Sequence, residues 1–135
     1  TTIPYLGIHK LLNDVSHLDV KISVLSNKDD QVTQEMISKS FPRINFDYVA
    51  GFGHKKSVEL KPHPSGPKLI ANKLGIRIKC LAMIGDTPTD IETAISSHMT
   101  PIGVSWGFRS REELFKAGAS EVISAPEQLL GLLTA

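Results

Sequence analysis

The residues best placed to do chemistry are Asp86 and Asp90, in the stretch Ile84-Gly85-Asp86-Thr87-Pro88-Thr89-Asp90. The run before them, Cys80-Leu81-Ala82-Met83-Ile84, has no polar alternation, the pattern of a strand buried on both faces. Gly85 permits a sharp change of direction, and Pro88 suits the first turn of a helix, where its missing N–H costs nothing. Asp86 then falls at the carboxyl end of a parallel strand, the rim on which open α/β sheets carry their ligands. Asp90 lies one helical turn on and faces the same rim. Two converging carboxylates make a hard-oxygen site suited to Mg²⁺, which takes one or two carboxylates plus waters and substrate phosphate. The competing reading is structural: Asp86 caps the helix and Asp90 decorates its first turn, both favoured by the helix dipole.

Ser26 and Asn27 follow a buried-looking strand and precede a helix. A hydroxyl, an amide and free N–H groups at a helix start make a phosphate cradle, although the same residues also serve as plain caps. Lys61 opens Lys61-Pro62-His63-Pro64-Ser65-Gly66-Pro67, which its prolines should hold extended. An ammonium fixed there can offset charge on a transferring phosphoryl group, whereas most lysines are simply solvated. Lys55 and Lys56 compete for that role from a glycine-flanked loop. His54 and His63 read as loop histidines without ligand partners at metal spacing. Trp106 lines a pocket or plugs the end of a sheet. Asp29, Asp30, Arg109 and Arg111 read as helix-end and surface charges.

The elements that must position these residues alternate. Ile8, Leu11, Leu12 and Val15 recur at helical spacing over 7–17. A strand over 20–25 leads to a helix ending near 39, with Val32, Met36 and Ile37 inward and Asp29 or Asp30 near its cap. A short strand covers 46–50 and a loop 51–56. A helix over 68–74 stops at Gly75, in the usual C-terminal glycine position. The central strand (80–84), a helix (89–97) and another strand (100–104) follow, then a loop over 105–108. The chain closes with a helix over 110–117 carrying a Ser110/Glu113 capping pattern, a strand over 121–124 and a helix over 126–133. This is the pattern of an α/β fold with a parallel sheet and helices on both faces, in one domain spanning 1–135. The strand ends then collect Ser26-Asn27, Gly51, Asp86 and Ser105 on one rim.

Composition narrows the partners. The chain has 135 residues, 41% hydrophobic and 21% charged, as expected of an ordinary soluble domain. A net charge of +1 gives no electrostatic case for nucleic acid or an anionic membrane surface. The single cysteine excludes an internal disulfide framework and suits a reducing cytoplasm. No apolar stretch approaches the ~20 residues that span a bilayer, and no signal peptide is visible. A start on Thr1 fits either Met removal or a beginning inside a longer protein.

Taken together, Val24-Leu25-Ser26-Asn27-Lys28, Lys61-Pro62-His63-Pro64 and Ile84-Gly85-Asp86-Thr87-Pro88-Thr89-Asp90 resemble the haloacid dehalogenase superfamily of phosphohydrolases. The segment from Gly103 to Leu114 is similar to the phosphoglycolate phosphatase-like branch, and the resemblance runs from about 7 to 133. It implies a Rossmann-like three-layer α/β/α core. By that resemblance Ser26 and Asn27 hold the phosphoryl group, and Lys61 steadies both its charge and an aspartate nucleophile. Asp86 ligates Mg²⁺, with Asp90 as a ligand or a partner behind it. The substrate is a small phosphorylated metabolite, and the reaction passes through an aspartyl-phosphate.

The sequence departs from that pattern in one respect. The family's nucleophile lies in Asp-x-Asp on a first strand, followed by a helical cap, and this chain has no Asp-x-Asp. Asp14 and Asp19 fall in and after the first helix, the wrong context. The expectation is therefore the carboxyl-terminal part of a phosphatase core, lacking the strand that the family places between those bearing Ser26 and Asp86. That strand would come from an amino-terminal segment, from a second chain, or be replaced by closing-up of the sheet. The alternatives are a regulatory module that binds phosphate and metal without a nucleophile, and a hydrolase of carbon–halogen bonds.

Overall fold

The computed structural model describes residues 8–54, 59–105 and 110–134. Thr100-Pro101-Ile102-Gly103-Val104 forms β4 (Thr100–Val104), the middle strand of a parallel sheet ordered β3–β4–β5. Its neighbours are β3 (Ala82–Gly85) and β5 (Glu121–Ile123). Strand alternation sends Ile102, Val104 and Ile123 into one core, closed by Val15 of α1 (Ile8–Ser16) and Leu129 of α6 (Pro126–Thr134). Val122 meets a second core of Ile91 from α4 (Pro88–Ser97), Leu114 from α5 (Arg111–Ala117) and Ala119. Gly103 lets α5 sit on bare backbone, since a Cβ there would stand 3.1 Å from Leu114 Cβ and Cδ1. Ile91 and Leu114 are fully enclosed, and each contributes about 1.5–3 kcal/mol by burial.

A second parallel sheet pairs β1 (Ser23–Asp29) with β2 (Tyr48–Phe52). The ladder runs Ser23↔Tyr48, Val24↔Val49, Leu25↔Ala50 and resumes at Asp29↔Phe52, with an irregularity between. Ser26 and Asn27 occupy that irregular stretch. Helix α2 (Asp30–Ser40) packs on both strands, and α3 (Ser65–Leu74) touches β1, β2 and α4. Gly75 ends α3 at φ 66°, the left-handed conformation that glycine adopts without steric cost. The architecture is thus α/β with parallel sheets, as the alternation of elements requires. Among the described residues the strands fall into these two sheets, and no ladder joins β1 to β3.

Several local expectations are corrected. Strand β1 starts at Ser23 and extends through Ser26 and Asn27, because its pairing with β2 sets its limits rather than the apolar run. Val32 is 50% exposed and Thr33 is the buried residue of α2, its hydroxyl donating to the carbonyls of Lys28 (3.3 Å) and Asp29 (3.0 Å). Cys80 is exposed and lies in a 3₁₀ turn (Ile78–Cys80), so β3 begins at Ala82, where β4 is available opposite. Ala82 is exposed and Ile84 is 40% exposed, so β3 is not covered on both faces. The proline segment is not extended throughout: a turn closed by His63 N–H on the Leu60 carbonyl (3.0 Å) leads into α3 at Ser65. Lys55, Lys56, Trp106, Arg109 and the loop over 106–108 lie outside the described residues.

Candidate functional site

Lys61 is the centre of the site. Its Nζ donates to Asp90 Oδ1 at 2.7 Å and to the Leu25 carbonyl at 3.2 Å, and both side chains of the ion pair are mostly buried. Asp90 is fixed from its own helix. Thr87 caps α4 by accepting the Asp90 N–H (3.3 Å), while Asp90 Oδ2 accepts from the Thr87 hydroxyl (3.0 Å) and amide (3.4 Å). That reciprocal capping box satisfies helix-start donors that would otherwise lack partners. Gly85 makes room for it, because a Cβ there would overlap Cβ, Cγ and Oδ2 of Asp90.

Asn27 reaches the same lysine from β1. Its Oδ1 accepts the Lys61 N–H at 2.8 Å and its Nδ2 donates to the Lys61 carbonyl at 3.3 Å. Ser26 Oγ accepts the Lys28 N–H at 3.1 Å. The expected cradle of free helix-start amides is partly filled, since the Asp29 carboxylate caps α2 by accepting from Gln31 N (3.0 Å) and Val32 N (3.4 Å). The structure therefore brings Asn27, Lys61 and Asp90 into one bonded group, with Ser26 next to Asn27 in the irregular stretch of β1.

Asp86 stands apart from that group. It is half-buried at the carboxyl end of β3, and among the described residues none bonds to its carboxylate. The cap of α4 is Thr87, so the capping role considered for Asp86 falls to its neighbour. Among the described residues no group of three or more His, Cys, Asp or Glu could hold a metal unaided. The donor chemistry nevertheless fits a hard cation in part. Asp86 offers carboxylate oxygens that no described residue occupies, and Mg²⁺ draws much of its shell from water and substrate phosphate. Asp90 offers less, because Lys61 and Thr87 already occupy its oxygens.

A second polar cluster was not read as such in the sequence. Asp30 Oδ1 accepts from Gly51 N (2.9 Å) and Gln34 Nε2 (3.2 Å) and pairs with His54 Nδ1 (3.0 Å), while His54 Nε2 lies 2.7 Å from the Tyr48 hydroxyl. The Gly51 amide holds the Asp30 carboxyl below its ordinary value against the opposing effect of burial, with Gln34 and His54 adding to the lowering. This cluster ties the start of α2 to the turn after β2. Its only sequence signal is a His shortly after a strand that carries a Tyr. His63 likewise pairs with Glu59 (2.7 Å), and Arg111 donates to the Val122 carbonyl (3.1 Å).

A core of parallel strands and packed helices, with Ser26-Asn27 on β1 and Gly85-Asp86 at the end of β3, places the chain in the Rossmann-like class of α/β folds. The family model for haloacid dehalogenase-like hydrolases matches residues 1–104, and the chain belongs to that family. Among curated relatives it is 24% identical over 129 residues to the phosphoglycolate phosphatase of Pectobacterium atrosepticum, covering 96% of this chain and 54% of that protein. It is 32% identical over 71 residues to the probable phosphatase IndB of Dickeya dadantii, covering 53% of this chain and 31% of that protein. Among solved structures, the "putative phosphoglycolate phosphatase" of Lactobacillus delbrueckii subsp. bulgaricus superposes with a TM-score of 0.88 at 34% identity. That match covers 96% of this chain and 53% of that one. The chain spans about half the length, or less, of the relatives it matches.

Proposed function

We propose that this chain is the larger part of the core of a Mg²⁺-dependent phosphatase acting on a small phosphomonoester of the phosphoglycolate kind. The observation that carries the reading is the Lys61–Asp90 pair at 2.7 Å, which Asn27, the residue after Ser26, joins through the Lys61 backbone. A buried, oriented ammonium stabilises charge that develops on a transferring phosphoryl group far better than a solvated one does. Ser26 offers its hydroxyl to the phosphoryl oxygens, together with the strand end around Asn27. Asp86 would hold the cation, and Asp90 serves as the partner that fixes Lys61 or as a further ligand. Bound Mg²⁺ would supply positive charge that neutralises the phosphoryl oxygens.

The nucleophile is proposed to be an aspartate outside residues 1–135, on a strand lying between β1 and β3. The absence of Asp-x-Asp, the lack of a ladder joining those strands and the exposure of Ile84 on β3 support this placement. A carboxylate oxygen attacks phosphorus, the bond from phosphorus to the substrate oxygen breaks, and the alcohol leaves with a proton from solvent. Water then attacks the aspartyl-phosphate, releasing inorganic phosphate and restoring the carboxylate. An amino-terminal segment or a second chain would provide the strand. A reducing, cytoplasmic setting suits the exposed Cys80. No described helix is long and apolar enough to cross a membrane.

The test is acyl-phosphate trapping in a protein extended at its amino terminus. Mixing with substrate and quenching in hydroxylamine should place a hydroxamate on an aspartate upstream of Thr1. A hydroxamate on Asp86 or Asp90 would overturn the assignment.

A further inference from the structure

Asn27 uses its carboxamide in a way that a phosphoryl ligand would not. Lys61 sits inside the turn that His63 N–H closes on the Leu60 carbonyl, so its own N–H and C=O are not used by that bond. Asn27 takes both, accepting the N–H at 2.8 Å and donating to the C=O at 3.3 Å. A primary amide offers an acceptor and a donor on two separate atoms in one plane, matching the paired groups of one residue's backbone; an ionised Asp has no donor, and Ser has both only on a single oxygen. The next residue, Pro62, has no N–H, and its carbonyl accepts the Ser96 hydroxyl of α4 at 2.8 Å. The turn is thereby held from β1 on one side and from α4 on the other.

We propose that Asn27 is a positioning residue for Lys61, clamping its backbone so that the ammonium reaches Asp90 Oδ1 and the Leu25 carbonyl. A lysine side chain has many rotamers to lose on ordering, and its tip is fixed only where its Cα is fixed. The clamp supplies that fixed point. Phosphoryl contacts then come from Ser26 and Lys61, while the Asn27 carboxamide acts through Lys61. The inference rests on the proposed role of Lys61, but its first test does not need phosphatase activity.

That test is lysine acylation of the 135-residue chain by limiting acetic anhydride, quantified by peptide mass spectrometry. Lys61 should label at least several-fold more slowly than the exposed Lys68, Lys73 and Lys79. Asn27→Ala should raise Lys61 labelling at least threefold and leave the other three unchanged. Asn27→Asp keeps the shorter bond and loses the longer one, so its labelling should fall between; it also stands in should Asn27→Ala not fold. Unchanged Lys61 labelling in either folded variant would overturn the clamp. In the amino-terminally extended protein, Asn27→Ala should lower kcat tenfold or more, with KM and the inhibition constant for inorganic phosphate within twofold. A rise confined to those two constants would make Asn27 a phosphoryl ligand and also overturn the clamp. If the labelling shift appears and no phosphatase activity exists, the clamp stands and the phosphatase reading falls.

Discussion

Lys61 Nζ and Asp90 Oδ1, 2.7 Å apart, join parts of the chain that belong to different sheets. Lys61 follows β2 of the two-stranded sheet, and Asp90 lies on α4, after β3 of the three-stranded one. The pair therefore bridges the place where no ladder joins the two sheets, and it holds the site together across that break. Removing one partner of a buried pair leaves an uncompensated charge. Asp90→Ala should lower unfolding stability by about 3 kcal/mol, read from urea denaturation. Replacing both, as Lys61→Met with Asp90→Leu, should recover most of that loss while leaving no turnover in an extended protein. Equal stability of the single and double variants would show that the pair does not act as a unit.

Lys61→Ala in an extended, active protein should lower kcat by a hundredfold or more and change KM much less. The missing ammonium acts on charge that appears in the transition state. A rise in KM at unchanged kcat would assign Lys61 to ground-state binding.

Gly85→Ala should disturb Asp90 directly, because the added methyl overlaps its carboxylate. The expected cost is about 1–3 kcal/mol, measured by thermal unfolding, with a loss of activity in an extended protein larger than the stability change explains. A variant as stable and active as the parent would mean that α4 moves freely relative to β3.

The site was only partly legible in the sequence: Asp86 was the residue considered as the cap of α4, and the structure gives that place to Thr87. β4 was readable to the residue because four of its five positions are buried, so apolar type and strand limits coincide. β3 was displaced by two residues because Cys80 and Leu81 are apolar yet precede the first position opposite β4. Lys61 and Asp90 could each be nominated by residue type and local context. Their contact could not, since it depends on how two sheets sit together. Asn27 as a clamp and Asp30 as a hub depend on partners 34 and 24 residues away, beyond any local pattern.

Asp30 gives a pH signature independent of catalysis. Its carboxyl is held below the ordinary value in the folded chain, chiefly by the Gly51 N–H. A depressed acid contributes stability above its unfolded value and loses it as pH falls through its folded one. Unfolding free energy should therefore decline as pH falls through and below the ordinary carboxylate range, and Asp30→Asn should flatten part of that decline. Parallel acid limbs in the two proteins would show that the Asp30 cluster does not favour the carboxylate.

Asp86→Asn should abolish Mg²⁺-stimulated turnover in an extended protein while leaving thermal stability nearly unchanged, because no described residue depends on that carboxylate. Near-normal activity would remove Asp86 from the metal site.

The most direct test of the account is hydrolysis of p-nitrophenyl phosphate by the 135-residue chain and by an amino-terminally extended protein, each with and without Mg²⁺. The prediction is no turnover by the chain alone and Mg²⁺-dependent turnover by the extended protein. Mg²⁺-dependent turnover by the chain alone would contradict it, because the nucleophile would then lie within residues 1–135.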